Sequence, residues 1–339
     1  MEIFGAHASV KSDISVVIPV YRSESILPEL VRRLEPVLHT SADNFELILV
    51  NDCSPDRSWD VIVGLARAHS WIRPINLMRN YGQHNALLCG IRAAQYPVIV
   101  TMDDDLQHPP EEIPKLLARL NEGHDVVYGT PEREQHGLGR DIASWFTKLA
   151  LQNMMGAEIA RKVSAFRAFR SDVARAFAHY SGAFVSIDVL LTWGTTRFSL
   201  VTVRHESRKS GVSGYTIRKL ITHAMNMMTG FSTVPLQFAS VVGFLFTLFG
   251  VGVLAFVLGR YLIHGGSVPG FPFLASIIAL FSGAQLFALG IIGEYLARMH
   301  FRMMDRPSYV ARDGGDPQEV RSSGPEAVPV DHGRSARTG

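Results

Sequence analysis

Between residues 14 and 130 the apolar positions come in short continuous runs. Longer stretches separate them, in which apolar residues recur at helical spacing. The runs ISVVIPV (14–20), FELILVND (45–52), YPVIVTMDD (96–104) and HDVVYGT (124–130) are rich in β-branched residues, and turn-forming residues follow them. They predict strands, and the stretches 25–38, 56–70, 82–95 and 111–122 predict helices. Strand–helix alternation predicts an α/β domain with a mostly parallel sheet and helices on both faces. Ligands of such sheets bind beyond the carboxyl ends of the strands. Pro19, Tyr21, Asp52 and Asp103–Asp105 fall at those ends. Each one singly is equally a turn or a helix cap; their convergence on one edge favours a site.

The pattern changes in the last third. Residues 238–259 (FASVVGFLFTLFGVGVLAFVLG) and 271–293 (FPFLASIIALFSGAQLFALGIIG) carry no charge. Each is long enough to cross a bilayer as a helix, which takes roughly 20 residues. The Gly/Pro-containing link RYLIHGGSVPG makes the pair a transmembrane hairpin, with spans expected at about 238–260 and 271–296. Arg208, Lys209, Arg218 and Lys219 precede the first span, and Arg298, Arg302 and Arg306 follow the second. The tip offers only Arg260 and His264, so both ends are expected in the cytoplasm. The alternative, two buried helices of a soluble protein, requires a very large core.

Two further segments, 141–156 and 215–231, are amphipathic and suit either core packing or a bilayer surface. Residues after Asp313 are rich in Gly, Pro, Ser and charge, a composition that predicts disorder. The expected organisation is an N-terminal extension (1–13), an α/β domain (14–214), an interfacial helix (215–235), a transmembrane hairpin (236–300) and a largely disordered cytoplasmic tail (301–339).

Composition adds exclusions. The chain of 339 residues is 47% apolar and 19% charged, with a net charge of +2. That balance carries no footprint of nucleic-acid binding. Its two cysteines, Cys53 and Cys89, make neither a disulfide framework nor a metal ligand set. The N-terminus lacks the basic and apolar regions of a signal peptide.

Asp103 and Asp105, spaced D-x-D after a strand, suit a hard divalent cation, Mg²⁺ or Mn²⁺, with Gln107 as a further oxygen donor. Such a cation neutralises a leaving diphosphate. An acidic turn has the same spacing. No G-x-G-x-x-G follows the first strand and no G-x-x-x-x-G-K-[ST] occurs, so dinucleotide and P-loop readings lose their support. Arg140 and Ser144 lie one helical turn apart, and HESRKSGVSGY places Arg208 and Lys209 in a Gly/Ser-rich loop. Basic groups there suit anionic oxygens or form a solvated loop. A metal site, mobile cations and a membrane hairpin together suggest chemistry between a nucleotide-activated molecule and a lipid phosphate.

The segments SVVIPVYRSE, LILVNDCSPDRSWD, LMRNYGQHNALLCGI and MDDDLQHPPEEIP resemble family 2 glycosyltransferases of the polyprenyl-phosphate branch. That branch includes dolichyl-phosphate mannose synthases, bactoprenol glucosyltransferases and undecaprenyl-phosphate formamido-arabinose transferases. NYGQH, SGVSGY, TVPLQ and GAQLFALGIIGEYLAR extend the likeness, which covers about residues 14–310. The resemblance implies a GT-A fold and inverting transfer from a nucleotide sugar, a UDP-sugar first among candidates, to a polyprenyl (undecaprenyl) phosphate. By position, Pro19, Tyr21 and Glu24 would line the nucleotide pocket with Gly82 and Gln83, and Asp52 would recognise the base. Asp103, Asp105 and Gln107 would hold the cation and sugar diphosphate, and Arg140, Ser144 and Arg208 would contact phosphates. Asp104 falls where relatives often have a small residue and stays outside the metal set.

Three positions depart from the pattern. Gly214 replaces a frequent Lys, Pro131 a frequent Arg, and Ala165 a frequent acidic residue. Lys209 and Arg133 are candidate substitutes. The implied partners are a nucleotide sugar, a polyprenyl phosphate and membrane lipid at the inner membrane, with no nucleic acid; a homo-oligomer, a tetramer in relatives, is allowed. A processive polysaccharide synthase would carry Q-x-x-R-W, which this chain lacks. A non-catalytic membrane protein that binds a lipid-linked sugar or partners a flippase is the remaining rival.

Overall fold

The computed structural model describes residues 12–131, 159, 162–182, 185–206, 234–264, 270–304 and 306–312. The chain divides into two compact units, Met1–Leu106 with Tyr309–Gly339, and Gln107–Ser308.

In the first unit, strand β1 (Ile14–Val20) lies between β2 (Phe45–Asn51) and β4 (Val98–Thr101), with β3 (Ile72–Asn76) outside β2. All these pairings are parallel. The register aligns Val20 with Asn51 and Asn51 with Asn76, so the strands end side by side. Every residue of β1 is buried, which explains its unbroken apolar run. Helices α1 (Leu27–Ser41), α2 (Ser58–Ala68) and α3 (Gln83–Ala93) make the crossovers. Helix α1 buries Leu27, Leu30, Val31, Leu34, Val37 and Leu38, one stripe at helical spacing, and begins with Pro28 in its first turn.

Helix α3 approaches β1 so closely that a Cβ on Gly90 would lie 2.3 Å from Val17 Cγ1. Only glycine fits there. Strand β3 is an element that periodicity does not reveal. Arg73 and Pro74 interrupt its apolar run, and Pro is tolerated because the strand lies outside β2.

The second unit contains β5 (Val126–Pro131), paired antiparallel with β6 (Arg167–Arg170) and parallel with β7 (Phe198–Val203). Helices α4 (Ile113–Asn121), α5 (Ser171–Ala174) and α6 (Ile187–Gly194) accompany them. Arg167, 1% exposed, is ion-paired with Asp188, whose Oδ1 also accepts from the Tyr128 hydroxyl at 3.1 Å. A buried guanidinium is tolerated only when so partnered.

Two long helices follow, α7 (Val234–His264) and α8 (Phe271–Met303). They contain apolar stretches Pro235–Ile263 and Leu280–His300, of 29 and 21 residues with mean hydropathy 2.6 and 1.4. Neither stretch is buried in its most apolar part, so the reading as core helices of a soluble protein has no core to rest on. The helices touch where Phe281 meets Phe246 at 5.8 Å and Phe249 at 6.4 Å between ring centroids. Gly250 makes room for that ring, because a Cβ there would come within 2.9 Å of Phe281 Cζ. The amphipathic segment 141–156, the segment 215–231 and the tail after residue 312 lie outside the described residues.

Candidate active site

The carboxyl ends of the first unit's strands lead into three turns, and each contains a non-glycine residue in the left-handed region. Arg22 follows β1 with φ 59°, Cys53 follows β2 with φ 50°, and Leu106 follows β4 with φ 58°. Side chains with a Cβ rarely adopt this conformation, and such strain is typically concentrated at functional sites. Among the described residues no other non-glycine residue has positive φ.

Asp52 is 3% exposed. Its Oδ1 accepts from the Tyr81 amide at 2.7 Å and its Oδ2 from the Gly82 amide at 2.8 Å. Burial raises its carboxyl above the ordinary range, and these two hydrogen bonds pull part of the way back. Gly82 has φ 92° and precedes α3, a conformation that glycine adopts at little cost. Asp52 therefore ties the end of β2 to the loop that opens α3. Gln83, the first residue of that helix, donates from Nε2 to Asp103 Oδ1 at 2.5 Å.

Asp104 turns the other way. Its Oδ2 accepts from the Ser23 hydroxyl at 2.5 Å and the Tyr21 amide at 3.3 Å. Burial, with the nearby Asp105 charge as a smaller contribution, pushes its carboxyl up to about 6. So Asp104 latches the turn after β1, while Asp103 faces the start of α3. Tyr21 is 42% exposed, with the Arg22 guanidinium 5.4 Å from its ring centroid. Pro19 is buried inside β1, aligned with Val50.

Glu24 belongs to a network that sequence reading did not anticipate. Its Oε2 accepts from the Arg57 amide at 2.8 Å, and its own amide donates to Asp56 Oδ2 at 3.3 Å. Asp56 Oδ1 accepts from the hydroxyls of Ser54 and Ser58 at 2.5 and 2.6 Å. Burial works to raise the Asp56 carboxyl, and these hydrogen bonds outweigh it and leave it below the ordinary range. The cluster D-C-S-P-D-R-S was the available signal, since Ser and Asp spaced by two favour such local bonds.

Gln107 is the first residue of the second unit, and its carbonyl accepts from the Glu206 amide at 2.8 Å. Nearby along the chain, Glu112 is 2% exposed and accepts from Lys115 Nζ at 2.5 Å and Arg204 Nε at 2.7 Å. Burial opposes its ionisation; Lys115 and Arg204 more than compensate and hold its carboxyl low. This anchors the chain just before Arg208. Arg140, Ser144 and Arg208 themselves, like Arg133, Lys209 and Gly214, lie outside the described residues. Of the other departures, Pro131 ends β5 opposite Val203, and Ala165 precedes the buried Phe166.

Among the described residues no three His, Cys, Asp or Glu side chains gather as a complete ligand set. Asp103 and Asp105 still supply two hard oxygen donors on one short turn. That donor chemistry suits Mg²⁺ or Mn²⁺, cations that share their coordination with substrate phosphates and water.

The family model for glycosyl transferase family 2 matches residues 15–177. The undecaprenyl-phosphate 4-deoxy-4-formamido-L-arabinose transferase of Pseudomonas syringae pv. syringae (strain B728a) is 35% identical over 318 residues, covering 93% of each chain. The corresponding enzyme of Shewanella sediminis (strain HAW-EB3) is 34% identical over 303 residues, 88% of this chain and 92% of its own. A solved structure, glucosyl-3-phosphoglycerate synthase from Mycobacterium tuberculosis with Mn²⁺, UDP and glucosyl-3-phosphoglycerate, aligns with TM-score 0.49 and 16% identity over 64% of this chain and 78% of that one. By the family model and the two transferase relatives, the chain belongs to glycosyl transferase family 2 and is a glycosyltransferase.

Proposed function

We propose that the protein transfers a sugar, with inversion, from a nucleotide sugar to a polyprenyl phosphate at the cytoplasmic face of the inner membrane. The single observation that carries this reading is a combination within one chain. Asp52 and Asp103–Asp105 follow the carboxyl ends of β2 and β4, the two strands that flank β1, and the same chain has two apolar helices whose most apolar parts are not buried. The named relatives act on undecaprenyl phosphate, which supports that acceptor. A UDP-sugar is the preferred donor.

The acceptor is a phosphate monoester, mostly dianionic at neutral pH because its second pKa is about 6. It needs little help from a general base. Asp103 and Asp105, with Gln107, would hold a divalent cation, which would stabilise the charge developing on the leaving diphosphate. The Tyr21–Glu24 turn, latched by Asp104 and Asp56, and the Tyr81–Gly82 loop, latched by Asp52, form the donor side. Arg140, Ser144 and Arg208 would orient the phosphates. Asp105 is a cation ligand first and a base only secondarily.

The test is nucleotide release by full-length protein in detergent, with Mn²⁺, undecaprenyl phosphate and a panel of UDP-, GDP- and dTDP-sugars. Acceptor-dependent release with one donor is expected. Folded, lipid-bound protein that releases no nucleotide with any donor would overturn the reading.

A further inference from the structure

We propose that residues 309–312, which follow the second apolar helix, form a strap that positions the donor-side loop. This inference rests on the reading of the Tyr81–Gly82 loop as part of the donor site.

The strap runs antiparallel to the chain just past β3. The Met78 amide donates to the Val310 carbonyl at 2.9 Å, and the Arg312 amide donates to the Asn76 carbonyl at 2.8 Å. Leu77 and Ala311 face each other between these bonds. On the opposite side the Leu77 amide donates to the Asn51 carbonyl at 2.9 Å, and Asn51 Nδ2 donates to Asn76 Oδ1 at 2.8 Å. Residues 76–78 are thus held from both sides, by β2 and by the strap. Three residues on, the chain delivers the Tyr81 and Gly82 amides to Asp52.

Tyr309 fastens the strap a second time, to α3. Arg92 Cζ lies 5.7 Å from its ring centroid, and its hydroxyl bonds with the Cys89 thiol. The loop from Asn76 to Gly82 and the helix it opens therefore share one clamp. The strap itself is mostly exposed; Val310 is 41% exposed, so burial of its side chains does not explain its placement. Backbone pairing and Tyr309 do. The strap is a positioning element: it touches no reacting atom and acts through the loop.

Proline at position 312 deletes one pairing bond by removing its N–H and keeps the extended backbone before it. Arg312→Pro is compared with Arg312→Ala, which keeps the N–H and loses the side chain. Two readouts are taken on full-length protein in detergent: amide hydrogen exchange at Met78, Tyr81 and Gly82, and titration with UDP. Arg312→Pro is expected to speed exchange at all three amides and weaken UDP binding roughly three- to tenfold, the effect of about one net hydrogen bond. Arg312→Ala is expected to match wild type in both. Equal behaviour of the two variants would overturn the proposal. Should the proline variant fail to fold, exchange in the wild type decides: the Met78 and Arg312 amides must be protected to the same degree, and unprotected amides there refute the strap. Wild-type protein that binds no UDP would sink the donor reading, while exchange at Tyr81 and Gly82 still decides the strap.

Discussion

Asp52 offers the sharpest test of how the site is held. Its carboxylate serves two backbone amides at 2.7 and 2.8 Å while only 3% exposed. Asp52→Ala strands both donors. Each lost bond to a charged acceptor is worth about 1.5–3 kcal/mol. Tyr81 is half-buried, so water reaches part of the loop, and the net cost is expected at about 2–4 kcal/mol. That converts to amide exchange roughly 30- to 1,000-fold faster at Tyr81 and Gly82 than in wild type. Gly82→Ala probes the same loop differently. A Cβ there meets nothing within 4 Å, so the cost comes from φ 92° alone, about 1–3 kcal/mol. Because both act on one loop, the double variant should cost less than the two singles added. The assay is exchange at single-residue resolution with urea unfolding alongside. Wild-type exchange at both amides in Asp52→Ala would refute the latch, and strict additivity would refute the shared loop.

Further outcomes follow from the same geometry. Asp105→Ala should abolish transfer with the fold intact, and chelator should silence the wild type until Mn²⁺ or Mg²⁺ is restored; near wild-type turnover in the variant would end the account. Asp104 is raised from an ordinary 3.8 to about 6, so between these values the folded protein binds more protons than the unfolded one. Its stabilising contribution is therefore complete below pH 4 and is lost as pH rises to about 6. Asp104→Asn in metal-free buffer should flatten the urea midpoint over that window, and an unchanged slope would reject the assignment. Gly90→Ala should destabilise by about 1–3 kcal/mol through the clash with Val17, although alanine favours helices by about 1 kcal/mol; stabilisation would show that α3 can shift. The protein should stay with the membrane pellet in alkaline carbonate, and release into the supernatant would count against the hairpin.

Sequence alone determined the elements whose periodicity is strong. Strands β1, β2, β4 and β5, the four helices α1 to α4 and the two apolar spans were all legible, because burial on a regular element dictates a regular pattern. The acidic turn after β4 and its D-x-D spacing were legible too, because three consecutive carboxylates follow directly on an apolar run. Tertiary structure decided the rest. Strand β3 hides behind Arg73 and Pro74, and β6 carries Arg167, whose burial depends on Asp188 many residues away. No local pattern distinguishes Asp104, which latches the turn after β1, from Asp103, which faces α3; adjacent carboxylates diverge only when the turn geometry is known. The left-handed conformations of Arg22, Cys53 and Leu106 and the return of Tyr309–Arg312 to the edge at Leu77 were equally silent. The strap's return depends on contacts between segments far apart in the chain, and pairing of that kind is made by backbone groups that every residue shares.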